Sequence, residues 1–155
     1  MALQKINIEE FLSLAKQYRV LDVRSPGEYA HAHIPAALNL PLFNDEERKQ
    51  VGTAYKQQSR ETAIKTGLDY FGVKMRKMVE EVEEIVGGGQ SAAGNQQLIV
   101  GEEQTIASKL LTGNCVLLHC WRGGMRSAAV AWLLDLYGYN VFTLAGGYKA
   151  YRKWV

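Results

Sequence analysis

Residues 119–134, "HCWRGGMRSAAVAWLL", place a cysteine, two arginines and two glycines directly ahead of an apolar helical pattern. A thiolate is the nucleophilic form of cysteine, and a positive surrounding favours it. Two glycines let successive backbone N–H groups turn inward, and such a nest beside a helix N-terminus binds oxyanions. Arg122 and Arg126 add fixed charge and forked donors suited to a tetrahedral anion. The loop therefore reads as a device that activates Cys120 and holds an anionic or sulfur-bearing group in line with it. Cys120 is the expected nucleophile, and the backbone N–H groups of Trp121, Arg122, Gly123, Gly124, Met125 and Arg126 form the expected anion-binding loop. Cys115 is expected in the core, facing away from that loop. His119 should point into the sheet packing, and His31 and His33 should be hydrogen-bonded loop histidines. Three histidines and two cysteines without ligand spacing give no metal site. Neither a GxxxxGK[ST] loop nor a GxGxxG fingerprint is present, and no cofactor is expected in the chain.

The surrounding elements must hold that loop. "NCVLLHC" is a continuous apolar run, the pattern of a strand buried on both faces, and Cys120 ends it. "YRVLDVRS" is a second buried strand, whose end carries Asp22 and Arg24; both are expected to pair with loop elements and hold the mouth in shape. "INIEEFLSLAK" spaces Ile8, Phe11, Leu12 and Ala15 as one helical stripe, with Asn7 as N-cap. "HIPAALNLPLF", with two prolines, reads as an irregular connector holding one short strand. From Arg60 to Val86 the apolar residues recur at helical spacing, interrupted by Gly67 and Gly72. "GGGQSAAGNQQ" (87–97) reads as a surface loop and "TIASKLL" as a short helix. "RSAAVAWLLDLYGY" is a helix closed near Gly138, and "NVFTLAGGYKAYRKWV" gives a last strand, a Gly-Gly turn and a terminal helix. Alternating helices and short buried strands imply an α/β fold: a parallel sheet with helices on both faces. Reactive groups in such sheets gather at the carboxyl ends of the strands.

A chain of 155 residues with 47% hydrophobic and 22% charged residues fits a single domain over residues 1–155 with its own core. A net charge of +2 is too small for a dedicated nucleic-acid binder. No apolar run approaches the ~20 residues of a membrane span, so no membrane partner is expected. Two cysteines five residues apart, on a strand and its exit, do not make a disulfide framework; a reducing cytoplasm is the expected compartment. Composition leaves the oligomeric state open.

"LDVRSPGEYAHAHIPAALNLP", "LLHCWRGGMRSAAVAWLL" and "GYNVFTLAGGYKAYRKW" resemble the landmark segments of a rhodanese domain, in order and over nearly the whole chain. More narrowly, "CWRGGMRS" and the insertion "LPLFNDEERKQVGTAYKQQSRETAIKTGL" resemble the N-terminal rhodanese domain of bacterial tRNA 2-selenouridine synthases. The resemblance implies a transferase that converts wobble 2-thiouridine in tRNA to 2-selenouridine through a geranylated intermediate. Selenophosphate would be the selenium donor, and the cysteine matching Cys120 would serve the selenium-transfer stage. It also implies a second, phosphate-loop domain beyond Val155, where the geranyl donor and most of the tRNA contact are expected.

Two rival readings follow from the loop. Five residues separate Cys120 from Arg126, one more than in ordinary sulfurtransferases of this fold, and this spacing resembles rhodanese-fold phosphatases and arsenate reductases. A stand-alone thiosulfate-type sulfurtransferase is the simpler alternative. A phosphatase usually needs an acid to protonate its leaving group, and "WRGGM" supplies none. A purely regulatory module would not need Cys120 with both arginines. In the insertion, Lys56 and Arg60 are candidate substrate contacts. "DEERKQ" reads as a solvated helical face, and Trp121 as a platform for a flipped base, a pocket wall or a packing residue.

Overall fold

A computed structural model describes residues 3–100 and 114–155. Five parallel strands lie in the order β1-β5-β4-β2-β3. They are β1 (Leu3–Ile6), β2 (Arg19–Asp22), β3 (Leu38–Asn39), β4 (Cys115–His119) and β5 (Asn140–Leu144). Parallel pairing needs crossovers, and these carry the helices: α1 (Ile8–Leu14), α2 (Pro26–His31), α3 (Asp45–Gln57), α4 (Arg60–Gly72), α5 (Met75–Val100), α6 (Met125–Tyr137) and α7 (Gly147–Trp154). The expected α/β architecture is therefore present, with β4, fully buried along its length, in the middle of the sheet.

Strand alternation divides the core between two faces. Val116, Leu118 and Cys120 turn to the side where Phe71, Met78, Val82, Val130 and Leu134 pack. Leu117 turns to the other, against Phe11, Ile34, Leu144 and Tyr148. Helices cover both faces. Cys115 starts β4 and Cys120 follows its end, so the two cysteines lie at opposite ends of the central strand, both unpaired.

Most helix boundaries follow the expected chemistry. The Asn7 side chain accepts from the Glu10 N–H, capping α1. Asn44 and Glu47 form a reciprocal capping box that starts α3, and Gly138, with φ 118°, closes α6. Four elements differ from the sequence reading. α2 ends on His31, where a loop histidine was expected. β1 was not expected; its burial pattern is exposed except at Ile6, and pairing with β5 rather than an apolar face defines it. The helical run from Arg60 breaks at Val73–Lys74, where the Lys74 N–H bonds back to the Phe71 carbonyl. Residues 87–97 continue α5 instead of forming a loop; once a packed turn has nucleated a helix, each further residue adds a hydrogen bond. "TIASKLL" lies outside the described residues.

Candidate active site

Cys120 sits just past the carboxyl end of β4 and is only 3% exposed. Its Sγ receives the Gly124 N–H at 3.3 Å and donates to the Ser127 hydroxyl at 3.2 Å. Ser127 Oγ in turn reaches the Gly124 carbonyl at 3.3 Å. The sulfur is thus held against the first turn of α6, as an anion-binding loop requires.

The carbonyl side of the loop is pinned from below. The Tyr148 and Lys149 N–H groups, in the first turn of α7, donate to the Cys120 and Trp121 carbonyls at 2.8 and 3.0 Å. This approach is close enough to demand glycine. A Cβ on Gly147 would stand 2.5 Å from the Cys120 carbonyl oxygen and 2.7 Å from the Gly123 nitrogen, and Gly147 has φ +58°. The Gly-Gly turn read from the sequence is therefore the cradle of the cysteine loop.

Asp22 and Arg24 do not pair with the loop, as was expected; they pair with each other. The Arg24 guanidinium spans both Asp22 oxygens at 2.7–3.1 Å, and the Arg24 N–H donates to Oδ1 at 3.0 Å. Both side chains are buried. Arg24 also donates to the Ala32 carbonyl at 2.7 Å and lies 4.3 Å from the centroid of the Tyr148 ring. Their influence on the loop is indirect: they fix Tyr148, whose N–H holds the Cys120 carbonyl. A bidentate buried pair uses most of its donors and acceptors internally; what Arg24 has left goes to the Ala32 carbonyl and the Tyr148 ring, not to the cysteine loop's side chains.

His119 is fully buried in the packing, with Nδ1 3.1 Å from the Cys120 carbonyl and Nε2 3.6 Å from Asp22 Oδ2. Burial lowers its pKa, and the Asp22 carboxylate opposes that only in part. His33 stacks on Tyr29 and its Nδ1 meets the Tyr29 carbonyl at 2.7 Å, the hydrogen-bonded loop role expected of it. Burial pushes the Cys115 thiol up to about 12, which leaves it unreactive.

The sequence reading missed Glu28. Its Oε1 accepts from Arg126 at 2.7 Å and from the Ser25 N–H and hydroxyl at 3.0 and 3.1 Å. Arg48 of α3 lies 3.2 Å from the same oxygen. Burial alone would raise the Glu28 pKa; the hydrogen bond and charge of Arg126, the Ser25 N–H and Arg48 outweigh it and lower it to about 2. Arg126, expected as a free anion ligand, is thus already engaged. Arg122 is exposed and has no ion-pair partner among the described residues. The pattern S-x-x-E over Ser25–Glu28 is a readable capping signal, but nothing local announces a partner 98 residues away.

Above the sulfur opens a cleft of about 720 Å³ between the α3–α4 hairpin and the cysteine loop. Trp121, Arg122, Gly124, Met125 and Arg126 line it with Cys120, and Lys56 stands at its rim. Arg60 is not part of its wall. Trp121 packs on Tyr148, ring centroids 5.8 Å apart, while also facing the cleft. "DEERKQ" is not merely solvated: Arg48 and Lys49 face the cleft, and Glu47 bonds Lys74.

A family model for the rhodanese-like domain matches residues 7–84. The chain belongs to the rhodanese-like family. Its curated relatives include two proteins named tRNA 2-selenouridine synthase. That of Shewanella denitrificans is 36% identical over 161 residues, an alignment covering 100% of this chain and 36% of the relative. That of Bdellovibrio bacteriovorus is 34% identical, covering 100% and 35%. This rhodanese-like chain therefore spans about a third of the length of these relatives. Among solved structures, the N-terminal domain of a putative ATP/GTP binding protein from Clostridium difficile 630 matches with TM-score 0.70 and 36% identity, over 97% of this chain and 98% of that one. No helix among the described residues of this rhodanese-like chain is long and apolar enough to cross a membrane.

Proposed function

We propose that this rhodanese-like chain is one domain of a larger transferase of the tRNA 2-selenouridine synthase type, with Cys120 as the carrier of sulfur or selenium. The observation that carries the reading is the position of Cys120 Sγ: past the end of the central strand, against the Gly124 N–H, at the base of an open cleft. The tRNA substrate class rests on the relatives' names, and selenophosphate is proposed as the selenium donor. With thiosulfate as a test donor, the thiolate attacks the outer sulfur. The new S–S bond forms as the S–SO3 bond breaks, and sulfite leaves with the electron pair. Arg122 and the loop amides hold the departing oxyanion; Arg126, tied to Glu28, fixes the loop's shape.

The phosphatase reading lacks its acid. Among the described residues no Asp or Glu lines the cleft, and Glu28, bonded to the loop through Arg126, is held near 2 and so stays ionised. Intact-protein mass spectrometry after incubation with thiosulfate tests the reading. Wild type gains one adduct and Cys120→Ser gains none, with Cys115 unlabelled in both. An adduct on Cys115, or equal labelling of the Ser variant, overturns it.

A further inference from the structure

One carboxylate oxygen beside the cysteine loop is crowded with donors. Glu28 Oε1 meets the Ser25 N–H at 3.0 Å, the Ser25 hydroxyl at 3.1 Å, Arg126 Nη1 at 2.7 Å and Arg48 Nε at 3.2 Å. Glu28 Oε2 meets Arg126 Nη2 at the longer distance of 3.4 Å. An ionised carboxylate offers about two acceptor sites on each oxygen, so Oε1 is oversubscribed and Oε2 is the less used of the two. Losing Arg126 would not orphan this carboxylate, because the Ser25 donors and Arg48 already hold it. Arg48 is half exposed and approaches through Nε. A small turn of its side chain would lay the guanidinium fork across both oxygens, the preferred geometry of such pairs.

Arg126 faces two ways. It binds Glu28 on one side and lines the cleft with Cys120 and Gly124 on the other. It stands in the first turn of α6, where backbone N–H groups and the helix dipole favour an anion. Arg48 lines the same cleft. Two positive groups and one negative group thus meet beside the loop, and they admit two different pairings.

We propose that Glu28 is the resident counter-ion of the anion site: an oxyanion arriving on the cysteine loop takes the Arg126 guanidinium from it, and Arg48 closes on the carboxylate left behind. The exchange leaves no charge unpaired at either end, which keeps the cost of the move low. Arg48 is then a positioning residue, acting on the anion through Glu28 and Arg126 and not by touch. An anion is held only as far as it outcompetes a carboxylate for a forked pair of N–H donors, so the site selects oxyanions over spherical anions such as chloride. Only the arrival of an anion at the loop rests on the function proposed above; the exchange stands on the three side chains.

Isothermal titration of the Cys120→Ser chain with sulfate reads the exchange without a covalent step. Glu28→Gln should tighten sulfate about three- to tenfold, between the worth of an exposed ion pair and that of a buried charged hydrogen bond. In an Arg126→Gln background the same change should do nothing, whereas a Glu28 that merely repels anions would still give the gain. Arg48→Gln should weaken sulfate about two- to fivefold while Glu28 is present and have no effect in the Glu28→Gln background. A plain cleft cation would lose the same factor in both. These double-mutant cycles isolate the two pairings. If Glu28→Gln is too unstable to titrate, nuclear magnetic resonance of the chain with Glu28 intact decides: the Nε–H signals of Arg126 and Arg48 should shift together as sulfate is added, with one saturation point. Sulfate affinity unchanged by Glu28→Gln, a Glu28 effect that survives Arg126→Gln, an Arg48 signal that stays still while that of Arg126 moves, or no sulfate binding at all overturns the proposal. The adduct assay separates the two readings. Cycles that hold without a Cys120 adduct remove the transferase reading alone, and an adduct without the Glu28 effect removes this one alone.

Discussion

Replacing Glu28 by Gln removes one negative charge and almost no volume. Gln keeps an acceptor for the Ser25 N–H, so the start of α2 survives while the ionic clasp on Arg126 and Arg48 is lost. The wild-type carboxyl titrates at about 2, well below the 4.5 of an unperturbed glutamate. A tenfold change in proton affinity between folded and unfolded chain is worth about 1.4 kcal/mol. The side chain is 19% exposed, so solvent screens part of the benefit, and about 2 kcal/mol is the expected cost of Glu28→Gln at neutral pH. For a chain of this size that lowers Tm by roughly 4–8 °C. Because the folded-state pKa is depressed, the contribution is fully present above about 4.5 and is lost as pH falls towards 2. Urea unfolding of both proteins at a series of pH values reads this out. The stability gap should be constant from neutral pH down to about 5 and shrink steadily below about 4.5. A gap that stays constant to about pH 3 would show that the loss is geometric and that the charge of Glu28 is not what stabilises the clasp.

Gly147→Ala should destabilise by about 3 kcal/mol or more in thermal unfolding, since its Cβ would overlap the Cys120 carbonyl. Gly52→Ala, where no atom lies within 4 Å of the new Cβ on α3, should instead stabilise by about 0.5–1 kcal/mol. Asp22→Asn leaves Arg24 buried without its counter-charge and should cost about 3–5 kcal/mol in urea unfolding; a change under about 1 kcal/mol would mean that water compensates the guanidinium. Arg122→Ala should leave unfolding within about 0.5 kcal/mol of wild type while raising the KM for thiosulfate severalfold. An unchanged KM would assign anion contact to the backbone alone.

The sheet and the place of Cys120 at the end of its central strand were readable because their signals are local. The continuous apolar run into Cys120 marks a central strand, and the glycines after it mark a loop before a helix. β1 escaped because an edge strand with three exposed residues out of four leaves no alternation to find. Its definition comes from a partner strand 138 positions along, from Leu3 to Val141. Asp22 and Arg24 were picked out correctly as polar residues at a strand end, but two residues whose side chains can close on each other need no third party. Glu28 and Arg48 escaped for the opposite reason: each looks like a surface helix charge until chain folding brings Glu28 to Arg126 and Arg48 to Glu28. What a sequence shows least well is a cluster whose members come from separate elements, and the mouth of this cleft is such a cluster.

The seat of the cysteine loop on α7 has a mechanical meaning. Two hydrogen bonds tie the first turn of that helix to the carbonyls of Cys120 and Trp121, and Gly147 leaves no slack between them. The orientation of the Cys120 carbonyl is therefore set by where the first turn of α7 sits, so the backbone under the sulfur and the start of that helix form one packed unit.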